Sequence, residues 1–447
     1  MIVETVSGRV RGQVVDGIAA FLGLPYARPP FGELRFRAPS PVEPWEGVRD
    51  ALEYGPTAPK RPYPPPLDRL LADPAVPGDD CLNLNVWTPV GARDLPVMVW
   101  IHGGSLRYGS SVPAVYDGTA FARDGVVLVS INYRLGIEGF GLFPDAPANL
   151  GLLDQLAALR WVRDHIAAFG GDPGNVTVFG ESAGAISVGA LLSVGDGLFR
   201  RAIMQSGPPD TVRPAAARRL TRKIARRLGV PATAAAFADV DRERLLDAQA
   251  AVRDGFGIVD PGMDRRFEGE LMVGYNSEEY RLWFVPSGLV DRIGPLAFTL
   301  ARLKYRIGGR AAGLYRARRP GAKPGEVLGA LVTDKVLRVP LNQLADERTS
   351  RTFMYEFAWR TPVQNLGACH ALEIGFVFDT LRTADVVALT GPDAPQPLAD
   401  AMHAAWVSFA RTGDPGWPAW SVKRPVMRFG VEPELVYAPQ DDERTAW

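Results

Sequence analysis

The sequence predicts an α/β chain: a mostly parallel central sheet covered by helices on both faces. Two observations predict it. Short apolar runs rich in β-branched residues, at 97–101 (VMVWI), 126–132 (VVLVSIN) and 176–179 (VTVF), have the character of strands buried on both faces. Between them, 149–171 carries Leu152, Leu156, Leu159, Val162, Ile166 and Phe169 at steps of three and four, one apolar face of a helix. Strands alternating with helices argue for parallel pairing with both faces covered.

The elements follow in order. Gly170 and Gly171 end the first long helix, and the 176–179 strand runs directly into Gly-Glu-Ser-Ala-Gly. Residues 211–256 are Ala- and Arg-rich, with Leu220, Ile224 and Leu228 at helical spacing, and their charges form a solvated face. Strand patterns return at 271–273 and 353–357, and an amphipathic helix spans about 398–409. The expectation is a single domain over 1–447, with a helical insertion at roughly 208–260 and a further helical region at roughly 285–345, lying over the site. The Pro-rich stretch 61–77 is expected to be a surface loop.

The chain has 447 residues, with 50 basic against 50 acidic. That balance favours neither nucleic acid nor an anionic membrane as a partner. No apolar span is long enough to cross a membrane, and the N-terminus lacks a basic stretch followed by an apolar run. Only two cysteines occur, Cys81 and Cys369, expected as buried free thiols. A cytoplasmic protein is expected, with a monomer favoured.

Gly180-Glu-Ser-Ala-Gly184 lies between a strand and a helix-forming AISVGALL, the context a G-x-S-x-G nucleophile turn requires. Small residues two before and two after Ser182 relieve the crowding of such a turn. The new helix directs its N-terminal N–H groups at the reacting centre. His102-Gly-Gly-Ser105 ends an earlier strand, and consecutive glycines let backbone N–H groups approach a carbonyl oxygen. Together with the Ala183 N–H they form a candidate oxyanion hole.

Four histidines exist. His102 belongs to the glycine loop, and His165 and His403 lie in amphipathic helices. His370, in a loop after the 353–357 strand, remains as the candidate base. In the α/β-hydrolase order the acid falls between Ser and His. Glu278 and Glu279, after the 271–273 strand, both qualify. Trp100, Tyr108 and Phe140 are aromatics whose first reading is core packing, with pocket lining as the alternative.

The whole set of motifs resembles the type-B carboxylesterase family, which includes bacterial para-nitrobenzyl esterases and cholinesterases. The likeness rests on Phe21-Leu-Gly-Leu-Pro-Tyr-Ala27, Asp80-Cys-Leu-Asn-Leu-Asn-Val86, Asn132-Tyr-Arg134, the stretch 149–188, Ala202-Ile-Met-Gln-Ser-Gly207 and Phe409-Ala-Arg-Thr-Gly-Asp-Pro415. The resemblance implies an α/β-hydrolase fold and a triad of Ser182, His370 and Glu279. It further implies an oxyanion hole of Gly104, Ser105 and Ala183 with Gly103 shaping the loop, and supporting roles for Glu181 and Ser206. Tyr280 departs from the family's usual glycine, and the connection between Val252 and Leu271 is shorter than usual, implying a trimmed wall. The implied activity is carboxylic-ester hydrolysis through an acyl-enzyme on small to medium uncharged esters, with no metal and no cofactor. Carbamate or amide hydrolysis, or a non-catalytic binding role on the same fold, are the alternatives.

Overall fold

The computed structural model describes residues 1–195, 197–262 and 267–447. Within them the strands are β1 (Ile2–Thr5), β2 (Gly8–Arg11), β3 (Gln13–Val15), β4 (Ile18–Pro25), β5 (Val48–Asp50), β6 (Asn83–Pro89), β7 (Leu95–Ile101), β8 (Val127–Ile131), β9 (Gly171–Glu181), β10 (Arg201–Gln205), β11 (Glu270–Asn276), β12 (Thr352–Phe357), β13 (Pro425–Phe429) and β14 (Pro433–Tyr437). Strands β1, β2 and β5 form a small separate sheet, and the other eleven form one sheet in the order β14-β13-β12-β11-β10-β9-β7-β8-β6-β4-β3. Its centre, from β8 through β7 and β9 to β13, is parallel. Antiparallel strands close both edges.

The buried runs of the sequence become β7, β8 and β9, and pleating sends their side chains alternately to two cores. Val97, Val99 and Ile101 join one core with Leu152, Leu156, Leu159 and Val162 of helix Leu150–His165. Met98 and Trp100 join the other with Leu398, Met402, Trp406 and Phe409 of helix Gln396–Thr412. Two boundaries differ from expectation. The helical periodicity of 149–171 continues past His165 as a 3-10 turn, Ile166–Phe169, before Gly170 stops it at φ 82°. β9 then begins at once, because Gly171 already pairs with Leu95. Cys81 and Cys369 are buried free thiols.

Helices fill both stretches, 208–260 and 285–345. Pro214–Leu228, Ala234–Ala238 and Arg242–Ala250 pack around Ile224, Phe237 and Leu245. Leu289–Arg292, Pro295–Lys304, Gly309–Arg318, Pro324–Thr333 and Val339–Glu347 occupy the second stretch. In the short connection between Val252 and Leu271, residues 263–266 lie outside those described; Val259 before them is held by Asn149, which exchanges hydrogen bonds of 2.6 and 2.9 Å with it. No helix among the described residues is long and apolar enough to cross a membrane.

Strand order places the site. The chain passes from β7 outward to β8, then returns to lay β9 on the other side of β7. This reversal opens a crevice at the carboxyl ends of β7 and β9, where open α/β sheets bind ligands. The register Ile101↔Gly180 sets the His102 loop beside the Ser182 turn. The ends of β10, β11 and β12 follow in turn along the same edge.

Candidate active site

Ser182 sits between β9 and helix Ala183–Val194 at φ 54°, ψ −121°. An L-residue occupies that region only when its surroundings hold it there, at a cost of about 1–3 kcal/mol. The Ser182 N–H donates to the Gln205 carbonyl at 2.9 Å, and the Ser182 carbonyl accepts from the Ile186 N–H at 2.9 Å. The flanking glycine is demanded by β7 as well as by the turn: a Cβ on Gly184 would lie 2.0 Å from the Ile101 carbonyl oxygen.

The loop after β7 is folded tightly on itself. Gly104 has φ 107°, and a Cβ there would lie 2.2 Å from the Tyr108 carbonyl oxygen. The Arg107 and Tyr108 N–H groups donate to the Gly104 carbonyl at 3.0 and 2.8 Å. Ser105 follows at φ 56°. The N–H groups of Gly104, Ser105 and Ala183 have no acceptor among the described residues. His102 stacks on Tyr133, with ring centres 4.5 Å apart, and its Nδ1 lies 2.8 Å from the Gly103 carbonyl. Burial pushes its pKa down to about 3, so it is a neutral part of the loop.

His370 is fixed from both sides. Its Nδ1 lies 2.5 Å from Glu279 Oε2, and its Nε2 lies 2.9 Å from Glu181 Oε1. The second contact is a close approach without hydrogen-bond alignment. The Trp283 ring covers the imidazole at 4.8 Å between centres. Burial disfavours the imidazolium, but the Glu181 and Glu279 carboxylates outweigh it and hold its pKa well above the ordinary value. Burial likewise raises the Glu181 carboxyl, against the pull of His370.

Of the two carboxylates the sequence left open, Glu279 meets the imidazole. Glu278 turns away: it accepts from the Ala368 N–H at 3.1 Å and faces Arg281 at 3.4 Å and Arg360 at 2.8 Å. The other Glu279 oxygen accepts from the Asn276 N–H at 2.7 Å. Behind it, Asn276 Nδ2 donates to Glu373 at 2.7 Å, Gln205 Nε2 donates to the same carboxyl at 3.1 Å, and Trp406 Nε1 donates to Gln205 at 3.0 Å. Burial, with repulsion from Glu181 and Glu279, pushes the Glu373 carboxyl up to about 7. Ser206, buried at φ 52°, donates its N–H to the Gly274 carbonyl at 2.9 Å and has no partner for its hydroxyl among the described residues.

Ser182, His370, Glu181, Gly103, Gly104 and Ser105 line one cavity of about 200 Å³. Ala183, Glu279 and Ser206 stand outside its lining. Among the described residues no cluster of His, Cys, Asp and Glu is placed to hold a metal ion.

Comparison with known proteins gives the same direction. The carboxylesterase family model matches residues 1–272 and 313–438. The chain belongs to the carboxylesterase family. A para-nitrobenzyl esterase of Bacillus subtilis is 36% identical, covering 94% of this chain and 92% of its own. A phenmedipham hydrolase of Pseudarthrobacter oxydans is 37% identical, covering 95% and 94%. Among solved structures, a carboxylesterase of Geobacillus stearothermophilus superposes with TM-score 0.89 at 36% identity, over 100% of this chain and 99% of that one. The fold is that of the α/β-hydrolases, and the protein is a carboxylesterase.

This carboxylesterase carries features that the sequence reading missed. The 61–77 stretch does run along the surface, but its inner edge supplies Tyr63, Leu67, Leu70 and Leu71 to the cavity wall. The stretch is pinned by a buried ion pair between Lys60 and Asp73, and both residues also bond the Gly109 backbone at 3.1 Å. Alternation in a proline-rich run gives no sign of such an inner face. Of the three aromatics weighed, only Tyr108 lines the cavity; Trp100 and Phe140 are core. Trp283 lies in the short helix Arg281–Phe284, where apolar spacing alone cannot show which side meets an imidazole. Residues 273–312, which include Glu279 and Trp283, fall between the two matched spans of the family model.

Proposed function

We propose that this carboxylesterase hydrolyses small to medium uncharged esters through an acyl-enzyme, with Ser182 as nucleophile, His370 as base and Glu279 as the acid. The observation that carries the reading is that Ser182 and His370 face one cavity while Glu279 holds the far nitrogen of the imidazole at 2.5 Å. His370 takes the Ser182 proton, and Oγ attacks the ester carbonyl. The oxyanion rests on the N–H groups of Gly104, Ser105 and Ala183, with Gly103 keeping the loop flush against the serine turn. His370 then protonates the leaving alcohol, and the same imidazole activates the water that frees the acid.

Glu181 has a specific place in this cycle. Its Oε1 lies 2.9 Å from Nε2 without hydrogen-bond alignment, so Nε2 is left to take the Ser182 proton, and the neighbouring carboxylate steadies the imidazolium that results. The cavity walls, of Tyr63, Tyr116, Trp283 and leucines with no Lys or Arg, suit an apolar acyl or alkoxy group. A fluorophosphonate probe tests the reading. It is expected to label wild type at Ser182 and to leave Ser182→Ala unlabelled. A p-nitrophenyl ester series should show turnover falling once the acyl chain outgrows the cavity. Labelling at another residue, or undiminished hydrolysis by Ser182→Ala, overturns it.

A further inference from the structure

Helix Pro295–Lys304 presents an apolar stripe to solvent. It packs inward through Phe298, which is 1% exposed, against the cluster of Tyr315, Leu328 and Leu331. At about 100° per residue, Leu296, Leu300 and Leu303 fall within about 60° of arc, on the side opposite Phe298. They are 74%, 59% and 62% exposed, and Tyr305 just beyond the helix is 48% exposed. Single exposed leucines are ordinary; three aligned on one outward face are a contact surface.

The charge around this stripe selects its partner. Residues 293–325 hold eight basic side chains and no acidic one, in a chain whose total is balanced at 50 and 50. Four of the eight are engaged: Arg316 lies over the Phe298 ring at 4.4 Å, Arg318 pairs with Asp442, Arg319 with Glu443, and Lys323 with Asp291 at 2.5 Å. Arg302, Lys304, Arg306 and Arg310 have no carboxylate partner among the described residues, and the last three are exposed. The zero net charge, which disfavoured an anionic surface as a partner, averages this segment away.

We propose that helix Pro295–Lys304 docks the protein on an anionic lipid surface. Its leucines enter the boundary between headgroups and acyl chains, and Lys304, Arg306 and Arg310 meet headgroup phosphates. An amphipathic helix with cations beside its apolar face binds in this way. A second copy of the chain fits less well, because a two-fold contact through this face would set the same unpaired cations against each other. The helix lies within residues 273–312, between the two spans that the family model matches. It also has a path to the cavity. Pro295–Lys304 packs on Pro324–Thr333, and that helix contacts Arg281–Phe284, which carries Trp283 over His370. Docking would therefore hold the cavity wall near esters dissolved in the lipid.

Co-sedimentation of the full chain with vesicles tests this. Phosphatidylcholine vesicles containing about one third phosphatidylglycerol should bind the protein, pure phosphatidylcholine should bind it at least tenfold less, and salt near 0.5 M should release it. Leu300→Glu, and separately Lys304→Glu/Arg306→Glu/Arg310→Glu, should each weaken binding at least tenfold. Both should leave the circular-dichroism melt and the hydrolysis of a soluble p-nitrophenyl ester unchanged. Equal binding to both vesicles, no binding to either, or variants that bind as wild type does would overturn the proposal. So would a dimer in light scattering that Leu300→Glu dissociates, since that outcome assigns the face to a second copy.

Discussion

Glu181 Oε1 stands 2.9 Å from His370 Nε2, on the side of the imidazole opposite Glu279. The residue immediately before Ser182 thus sets a second carboxylate beside the nitrogen that, in the proposed mechanism, deprotonates Ser182. Two carboxylates on one buried imidazole favour its charged form, and this relationship controls how the site responds to pH.

As the proposed base, His370 works only when neutral. Burial lowers the His370 pKa, but Glu181 and Glu279 more than reverse this, so the imidazole stays protonated above the ordinary histidine value near 6.5. kcat/KM is therefore expected to fall with decreasing pH along a limb whose midpoint lies above 6.5. Glu181→Gln removes one carboxylate and should move that midpoint to lower pH. The sign for stability is separate: a raised histidine pKa stabilises the fold below the unfolded value and loses that contribution as pH rises through the folded one. A pH–rate profile of the two proteins checks the first claim; a midpoint that does not move with Glu181→Gln refutes it.

Glu279→Gln should lower kcat by roughly 10²–10⁴, because the amide cannot hold the same tautomer or offset the imidazolium charge. Glu278→Gln, which loses contacts to Arg281 and Arg360 only, should cost less than about tenfold. Steady-state kinetics on one p-nitrophenyl ester ranks them, and the reverse ranking would transfer the role to Glu278.

Gly104→Ala places a methyl group against the Tyr108 carbonyl at a backbone angle that alanine avoids. The loop must shift, and loss of one aligned donor typically costs about 10²–10³ in kcat. KM should change much less. A variant with unchanged kcat would show that this loop does not meet the transition state.

Lys60→Met leaves the buried Asp73 carboxylate without its cation. Removing one partner of a buried pair costs about 3–5 kcal/mol, so the urea midpoint should drop clearly. Lys60→Met/Asp73→Leu should recover much of that loss, because neither charge then needs solvation. Lys60→Met loses the bond to the Gly109 carbonyl, and the double variant loses the Asp73 bond to the Gly109 N–H as well, so kcat should fall in both and further in the double variant; a double variant with wild-type kcat would separate the strap from the oxyanion loop.

Much of this site was legible in the sequence because its constraints are local. The strand–turn–helix around Ser182 and the paired glycines after β7 each declare their geometry within five residues. Only four histidines left a short choice of base. Order along the chain narrowed the candidate acid to Glu278 or Glu279 and the family resemblance implied Glu279; which of the two side chains meets the imidazole is a tertiary property that local spacing does not carry. The Lys60–Asp73 clamp was invisible for the same reason: it joins two ends of an irregular strap, with no period to betray an inward face. The Leu296, Leu300 and Leu303 stripe would have read as a core face, since apolar spacing records that a helix has two sides without telling which one meets protein.

The reversal of strand order at β7 and β9 has a consequence for biosynthesis. The turn, the glycine loop, the carboxylate and the imidazole arrive from the ribosome at widely separated moments, and His370 emerges well after the first ten strands have been made. A chain stopped short of residue 370 would carry the Ser182 turn without its proposed base. On the proposed triad, hydrolysis therefore waits on a late-made loop, long after the strand and turn that carry the hydroxyl.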